Sequence, residues 1–333
     1  GFARSFALEH PALWGGLVVC GADVAPEAGL LDQLAGASEV GLLPERSVRR
    51  LVRGAPVSRL PVPEGVVLVT GGTGAIGRAV AEAWKARGAR VAVLSRNAEA
   101  WTEGIEVVRV DVADAEAVAE ALKGLPIGGV VHCAGIGRRQ ALVDEDPDGV
   151  EAVFAAKVEG ARVLDALFPD LDFFVCTSSI AAVWGSAGQV AYAAANAALE
   201  GIVEQRRSRG QVARVVSFGP VRGGLLDAEG EAWLAARGLV ALSTSVAAEA
   251  LISVDGVVAD VAWETFEPLM SARAPNPFFA AYAASAPVLA AAEPRDLLAA
   301  VRARAARVLG LDPDALDPRQ GFFDAGMDSL TAV

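Results

Sequence analysis

Histidine and cysteine are scarce in this chain. Its 333 residues include only two histidines and three cysteines. Cys20, Cys133 and Cys176 are irregularly spaced, and with only His10 and His132 beside them they do not form a metal-binding pattern. We therefore expect no metal ion, and we interpret the cysteines as free thiols of a protein in a reducing compartment.

Basic residues are outnumbered by acidic ones, and long apolar runs are missing. The formal net charge is -12 at pH 7, and no basic cluster stands out, which argues against nucleic acid or an anionic membrane as a partner. Although 53% of the residues are hydrophobic, no apolar run reaches the roughly 18 residues that cross a bilayer. The N-terminus has no signal-peptide pattern. The expectation is a soluble, cytoplasmic protein with one large domain and smaller attachments.

A glycine-rich turn is the first motif with chemical content. It follows the apolar run 66–69, which is typical of a buried parallel strand, and precedes the stretch 78–87, which has the apolar spacing of a helix. Its glycines let the backbone turn tightly and approach a pyrophosphate, which the free amides of the helix would bind. A purely structural turn is the alternative, because glycine is common between strands and helices. The predicted cofactor residues of the turn are Thr70, Gly71, Gly72, Thr73, Gly74, Ala75 and Ile76.

The end of the next strand candidate indicates which dinucleotide is bound. The apolar run 91–94 is followed by Ser95 and Arg96. An acidic residue at this place would accept the ribose hydroxyls of NAD, whereas a basic residue suits the extra phosphate of NADP. We therefore predict NADPH as the cofactor. A solvated surface arginine is the alternative interpretation of Arg96.

Two further strand candidates end in residues that fit the same cofactor. The run 106–110 leads to Asp111 and Val112, where a carboxylate could meet the adenine amino group. The run 129–132 leads into a turn of small residues that would leave room for the cofactor. The residues of this second turn are Cys133, Ala134 and Gly135.

Four polar residues downstream of the turns have the chemistry of a carbonyl reductase: Lys157, Ser179, Tyr192 and Asn196. Reducing a ketone needs a hydride donor and a proton for the developing alkoxide. A tyrosine can give that proton, and a nearby ammonium lowers the cost of the phenolate left behind. We assign Tyr192 as the acid, Ser179 as a second donor to the carbonyl oxygen, and Lys157 as electrostatic partner and cofactor anchor. Taken singly, each residue also has an ordinary structural interpretation.

Together these motifs resemble the ketoreductase domain of type I polyketide synthases, within the short-chain dehydrogenase/reductase superfamily. The matching segments are TGGTGAIG at 70–77, SR at 95–96, VDV at 110–112, VHCAG at 131–135, AAKVEGA at 155–161, 177–201 around the tyrosine, and FGP at 218–220. The resemblance covers nearly the whole chain. It implies an α/β fold, a Rossmann-like doubly wound parallel sheet, and NADPH-dependent reduction of a β-ketoacyl thioester held on an acyl carrier protein. It also adds Gly219, Pro220 and Val221 to the expected cofactor contacts.

One departure from the wider superfamily concerns the lysine. Most short-chain reductases place it four residues after the tyrosine, where this chain has Asn196. Polyketide ketoreductases resemble this chain in exchanging the two residues, with the lysine supplied by the preceding helix. Lys157 fits that place, because it lies in a stretch, 150–167, that we expect to be helical.

The two ends of the chain resemble parts of neighbouring domains. Residues 1–60 are similar to the last part of the structural subdomain and its linker, and residues 61–285 to the catalytic subdomain. After a linker at 286–293, residues 294–333 resemble the first part of an acyl carrier protein, in which Ser329 would carry 4'-phosphopantetheine. We therefore expect a piece of a larger synthase, with the carrier protein and other domains of that synthase as partners.

The family resemblance also predicts the stereochemistry of the product. One group of these reductases has Leu-Asp-Asp after the fourth strand, and the other has a tryptophan eight residues before the tyrosine. This chain has no aspartate pair after Gly135 and has Trp184 at the second position, which implies an A-type, L-hydroxy product. Core packing is the alternative role for Trp184. Gln189 stands where a subgroup has histidine, which suggests that an α-methyl substrate is not selected as in that subgroup.

The segment 225–238 is interpreted as a lid over the active site, with a hinge at Gly223 and Gly224. Leu225 stands where family members usually have methionine, and Val221 where they usually have tryptophan. Two other functions stay open. One is a catalytically silent or epimerising domain, and the other is a free-standing reductase of a small ketone.

Overall fold

The computed structural model describes residues 1–10, 17–20, 39–42, 46–48, 51–54, 57–97, 104–272, 276–282, 302 and 306. These belong to two compact units, one comprising 1–14 and 53–261 and the other 15–52 and 262–333. Ser329, the linker 286–293 and nearly all of 294–333 lie outside the described residues. The predicted domain boundaries therefore stay predictions.

The strands and helices are numbered in chain order. The strands are β1 (Leu17–Cys20), β2 (Glu39–Leu42), β3 (Arg46–Val48), β4 (Val66–Thr70), β5 (Arg90–Leu94), β6 (Glu106–Val108), β7 (Ile127–His132), β8 (Phe173–Ser179), β9 (Ala213–Phe218), β10 (Leu239–Val240), β11 (Gly256–Val258) and β12 (Asp260–Val261). The α-helices are α1 (Phe2–Glu9), α2 (Ala75–Ala86), α3 (Ala115–Ala121), α4 (Pro147–Phe154), α5 (Gly160–Leu167), α6 (Ile180–Trp184), α7 (Val190–Ser208), α8 (Ala228–Ala235), α9 (Thr244–Ser253) and α10 (Trp263–Ser271). A π-helical turn, Ala155–Glu159, joins α4 to α5, and short 3-10 turns span Leu142–Asp144 and Pro277–Phe279.

The larger unit is built on one sheet of seven strands in the order β11-β9-β8-β7-β4-β5-β6. All neighbouring strands in it are parallel. The chain runs outward from β4 through β5 to β6, then returns to the other side of β4 with β7. The predicted doubly wound parallel sheet is confirmed, and β4 and β7 flank the switch point at which such folds bind ligands.

The sheet is buried on both faces, as its unbroken apolar runs predict. Successive residues of β4 face opposite sides, so that Val67 and Val69 pack with Trp84 of α2 in one core. Leu68 packs with Leu199 of α7 in the other. Trp84 also stacks on Phe173, with ring centroids 5.0 Å apart. Burying one such large side chain contributes about 1.5–3 kcal/mol to the free energy of unfolding.

Helix α1 lies in the larger unit, although the sequence places it in a preceding subdomain. It packs against α6 and α7. Its Ser5 side chain is fully buried and accepts a hydrogen bond from the Ser186 backbone amide at 3.2 Å. The first helix of the chain is thus part of the packing around the segment that carries Tyr192.

The smaller unit combines a short sheet with an aromatic cluster. In its sheet, β1 pairs parallel with β2, and β2 pairs antiparallel with β3. Trp263 of α10 stacks on Tyr282, with ring centroids 4.1 Å apart, and packs beside Phe279. None of the helices in the described part of the chain has the length and apolar character needed to span a bilayer.

Candidate active site

The glycine turn connects β4 to α2 at the carboxyl edge of the sheet. Gly71 has a positive φ of 64°, and a Cβ there would lie 2.8 Å from the Ala134 Cα atom, so a larger residue would separate β4 from the turn after β7. Helix α2 begins at Ala75 without a side-chain cap and without an acidic residue in its first turn. No side chain caps its first amides, which are therefore available to bind an anion. These residues fit the pyrophosphate of a dinucleotide.

The residues predicted for the adenosine end lie beside this turn; Arg96 and Asp111 are exposed, and Ser95 is partly buried. The hydroxyls of Thr73 and Ser95 are 3.0 Å apart and hydrogen-bonded. Arg96 Nη1 lies 3.7 Å from Asp111 Oδ2, with both side chains about half exposed. β6 ends at Val108 rather than at 110, so Asp111 follows the strand in a loop. The structure thus brings Thr73, Ser95, Arg96 and Asp111 together.

Other predicted cofactor residues lie in the core or contribute backbone. Val112 is 5% exposed and packs in the core with Leu164, and Val221 is 7% exposed in the opposite core. The Gly219 amide donates to the Val258 carbonyl, and the Pro220 carbonyl accepts from the Leu242 amide. The backbone of Gly219 and Pro220 thus holds the chain just after β9 in place. The side chains of Val112 and Val221 instead point into the two cores.

The turn after β7 connects the glycine turn to Lys157. The amide of Cys133 donates to the Thr70 carbonyl at 3.2 Å. A Cβ on Gly135 would lie 2.7 Å from Lys157 Cε, so glycine at this position makes room for the lysine side chain. Cys133 and Cys176 are free thiols, and burial raises the pKa of each to about 12. Both cysteines are therefore uncharged packing residues near neutral pH.

Lys157 lies in the π-helical turn between α4 and α5 and is 4% exposed. The sequence predicted a helical stretch over 150–167, and the structure is helical throughout it. A π turn widens the backbone by one residue and is often found at functional sites. The Lys157 ammonium donates to the Thr177 carbonyl at 3.3 Å and lies 5.6 Å from the centre of the Tyr192 ring. The structure therefore brings Lys157 and Tyr192 together, as predicted from their residue types.

Ser179 and Asn196 complete the cluster from two elements. Ser179 ends β8 and caps α6, since its Oγ accepts from the Ala181 amide at 3.1 Å. Asn196 is fully buried one turn after Tyr192, and its Nδ2 donates to the Tyr192 carbonyl at 2.8 Å. The amide of Asn196 thus supports the first turn of α7 from within.

Burial shifts the pKa values of Lys157 and Tyr192 in opposite directions, and in both residues it favours the uncharged form. It lowers the pKa of Lys157 to about 8. It raises the pKa of Tyr192, while hydrogen bonding of the phenol with the Asn196 and Ser179 side chains acts in the opposite direction. Near pH 7 the tyrosine therefore keeps its proton and the lysine is mostly an ammonium. A held proton beside a cation is the arrangement that an acid needs.

His132 is a residue of the site that sequence reasoning did not assign. It is fully buried at the end of β7, and burial lowers its pKa to about 4, so its imidazole is neutral. Its Nε2 lies 2.9 Å from the Lys157 carbonyl oxygen and its Nδ1 lies 2.8 Å from the Thr70 hydroxyl. Since a carbonyl only accepts, Nε2 carries the proton and Nδ1 accepts from Thr70. The one feature of the sequence that could have pointed to His132 is its place as a polar residue at the end of an apolar strand.

The residues predicted to control stereochemistry lie on three different segments. Trp184 ends α6 and is 8% exposed. Gln189 immediately precedes α7 and its Oε1 accepts from the Ser186 hydroxyl at 2.8 Å. Leu225 is 61% exposed and lies against Gly137, where a Cβ would be 2.9 Å from its Cδ1 atom. The expected lid contains α8, and Arg139 lies 5.4 Å from the ring centre of its Trp233.

Comparison with known proteins identifies the family. Residues 65–223 match the KR domain, and residues 299–333 match the phosphopantetheine attachment site. Polyketide synthase GfsA of Streptomyces halstedii is 38% identical, and the match covers all of this chain and 5% of the length of that protein. Pikromycin polyketide synthase component PikAIII of Streptomyces venezuelae is 35% identical over all of this chain and 26% of its own length. The chain therefore spans a small part of these curated relatives.

Solved structures agree with the sequence matches. The ketoreductase PlmKR1, from the first module of phoslactomycin biosynthesis in Streptomyces sp. HK803, is 36% identical with a TM-score of 0.77, over 86% of this chain and 75% of its own. A structure described as an A1-type ketoreductase is 33% identical with a TM-score of 0.76, over 84% and 67% of the two chains. With its parallel sheet, its glycine turn and these matches, the chain belongs to the ketoreductase domains of type I polyketide synthases, oxidoreductases of the short-chain dehydrogenase/reductase type.

Proposed function

We propose that this chain reduces a β-ketoacyl thioester, held on an acyl carrier protein, to the β-hydroxyacyl thioester with NADPH. The observation that carries the proposal is the position of the Lys157 ammonium, 5.6 Å from the centre of the Tyr192 ring. This pair lies beside Ser179, next to the turns expected to hold the nicotinamide. A tyrosine, a lysine and a serine that lie together have the chemistry for giving a proton to a new alkoxide.

Each side chain has a separate task in this mechanism. The bound dinucleotide supplies the hydride. Tyr192 Oη delivers its proton to the substrate oxygen, and Ser179 Oγ donates a hydrogen bond to the same oxygen while it still accepts from Ala181. Lys157 lowers the cost of the phenolate through its charge. Asn196 holds the Tyr192 carbonyl and with it the start of α7.

The preference for NADPH rests on Arg96. Its guanidinium lies at the end of β5, 3.7 Å from Asp111 and about half exposed. A 2'-phosphate would give this guanidinium a doubly charged partner in place of one carboxylate. The backbone amides at the start of α2 would hold the pyrophosphate, and the hydroxyls of Thr73 and Ser95 lie on the same edge.

The A-type, L-hydroxy product is the finer part of the proposal. It is supported by Trp184 at the end of α6 and by the absence of an aspartate pair in the sequence after Gly135. Overall likeness does not decide between the types, because an A1-type ketoreductase has a TM-score of 0.76 and a C2-type ketoreductase one of 0.73. The stereochemical proposal therefore rests on the residues alone.

The carrier part of the proposal concerns Ser329. The match to the phosphopantetheine attachment site spans 299–333, and Asp328-Ser329-Leu330 lies within it. We assign Ser329 as the attachment point of 4'-phosphopantetheine in the parent synthase. The arm would bring the thioester to a ketoreductase active site, in this or a neighbouring domain.

One assay with two readouts tests the reductase. The purified chain is incubated with a small β-keto thioester and NADPH, nicotinamide oxidation is followed by absorbance, and the product is resolved by chiral chromatography. We expect turnover and a predominantly L-hydroxy product. A folded protein that oxidises no NADPH would favour the catalytically silent domain, and a predominantly D-hydroxy product would overturn the A-type assignment alone.

A further inference from the structure

Helix α1 carries a single acidic residue, Glu9, and this residue joins two loops of the larger unit. Its Oε1 accepts from the Gly188 backbone amide at 2.9 Å. Its Oε2 accepts from the Leu142 backbone amide at 2.8 Å. Both oxygens of one carboxylate are thus used on backbone donors from two separate loops. Hydrogen bonds to an ionised carboxylate are among the stronger ones in proteins.

The two loops also contact each other at the same place. The Gln140 amide donates to the Gly188 carbonyl at 2.7 Å, and Gln140 forms an isolated parallel bridge with Gln189. Gly188 has a positive φ of 71°, so the backbone conformation here is one that few other residues adopt without strain. The Glu9 carboxylate completes a three-way contact among helix α1, the loop at 140–142 and the loop at 185–189.

Further contacts attach α1 to the segment between Ser179 and Tyr192. Arg4 Nη1 donates to the Ala182 carbonyl at 2.7 Å. Ser5 Oγ accepts from the Ser186 amide at 3.2 Å. This segment contains Trp184 and Gln189 and leads directly into the first turn of α7. The contacts of α1 therefore hold the segment that carries Trp184 and Gln189, the residues proposed to control stereochemistry.

The loop at 137–142 reaches the expected lid at its other end. Gly137 lies against Leu225, and Arg139 lies near both Gly188 and the Trp233 ring of α8. The loop thus connects the lid to the segment 185–189. Whatever fixes this loop to that segment therefore connects the expected lid to the residues that lead into α7.

We infer that Glu9 is a positioning residue for stereochemical selectivity, because its carboxylate fixes the loop at 140–142 to the loop at 185–189 and so sets the opening through which the thioester reaches Tyr192. The inference rests on the proposed reductase function. Without the carboxylate, the Gly188 and Leu142 amides lose their partners and the two loops separate more easily. A looser opening admits the carbonyl in both orientations, whereas the transfer chemistry is unaffected.

The experiment compares Glu9→Ala, Glu9→Gln and Glu82→Ala in the full 333-residue chain. Glu82 is exposed on α2, so its replacement removes the same charge away from the loops. For Glu9→Ala we expect about a tenfold fall in the ratio of major to minor hydroxy stereoisomer and a raised KM, from the loss of two charge-assisted hydrogen bonds. kcat and the affinity for NADPH should stay near those of the unmodified chain. Glu9→Gln keeps one carbonyl acceptor, so its stereoisomer ratio and KM should lie between those of Glu9→Ala and the unmodified chain. Glu82→Ala should match the unmodified chain.

Hydrogen–deuterium exchange provides a readout that does not depend on turnover. We expect faster exchange at 140–142 and 185–189 in Glu9→Gln, with unchanged exchange in the strands. An unmodified chain that reduces no thioester would refute the proposed function, and the exchange result would still decide whether Glu9 fixes the loops. A folded Glu9→Gln with unchanged exchange, stereoisomer ratio and KM would overturn the inference. If Glu9→Ala does not fold, the Glu9→Gln measurements decide it.

Discussion

The proposed nucleotide region and the proposed proton-donating region are built in different ways. The first, made of the glycine turn, Ser95, Arg96 and Asp111, offers backbone amides and side chains that are largely exposed, such as Arg96 at 59%. The second contains Tyr192 and Ser179, which are partly buried. Around them lie Lys157, Asn196 and His132, which are exposed by 4% or less and are held by hydrogen bonds. A cofactor that binds and leaves can be held by surface groups. A proton donor must keep one geometry and one charge state, which burial enforces.

The largest effect is expected from removing the Tyr192 hydroxyl, the proposed proton donor. Tyr192→Phe keeps the ring and removes the proton, so kcat for a β-keto thioester should fall by roughly 100 to 10,000-fold. The affinity for NADPH, measured by fluorescence titration, should stay the same because the exposed region is untouched. Near-normal turnover of this variant would show that the proton comes from another group.

Next in size is the loss of the buried charge. Lys157→Met keeps much of the side-chain volume and removes the ammonium, and we expect about a 100-fold loss of kcat. NADPH affinity should also fall, because the lysine is the proposed cofactor anchor. A loss confined to one of the two parameters would contradict the assignment of both roles to one residue.

The same lysine predicts a pH dependence. The pKa of Lys157 is lowered to about 8 by burial, so the ammonium is present below that pH and is lost as the pH rises through it. We expect kcat of the unmodified chain to decline above about pH 8, by roughly tenfold over the following pH unit or two. In Lys157→Met this decline should vanish. A kcat that keeps rising to pH 10 would argue against a catalytic ammonium.

A smaller effect is expected in the exposed region. Arg96→Ala should raise the KM for NADPH by about tenfold, the size of one charge-assisted contact, and leave the KM for NADH nearly unchanged. Arg90→Ala is the matched control, because Arg90 is exposed at the other end of the same strand. Equal kcat/KM for NADPH and NADH in the unmodified protein would refute the preference.

Ser329 belongs to neither region, so its modification should have the smallest effect on reduction by the isolated chain. In the intact synthase, coexpressed with a phosphopantetheinyl transferase, intact-mass analysis should show the added arm on this serine. The 333-residue chain should be modified little, since the resemblance covers only the first part of a carrier protein. An unmodified serine in the full-length synthase would refute the carrier assignment.

The two regions also differ in how far the sequence predicted them. The strands and the glycine turn follow from local patterns, because apolar runs and glycines act within a few residues of themselves. The expected helical stretch around Lys157 is confirmed, but its π turn at Ala155–Glu159 was not foreseen. His132 was missed because its partners, Thr70 and the Lys157 carbonyl, come from distant parts of the chain. The roles of the catalytic and cofactor residues stay predictions, which the variants above test.

The attachment of α1 matters for recombining synthases. A crossover placed just before β4 would transfer the complete parallel sheet, yet it would join loops of one parent to a first helix of the other. The residues that must then match include Arg4, Ser5 and Glu9 on the helix, and the backbone at 142 and 182–188 that they hold. A hybrid that takes α1 and these backbone segments from one parent keeps the four hydrogen bonds between them.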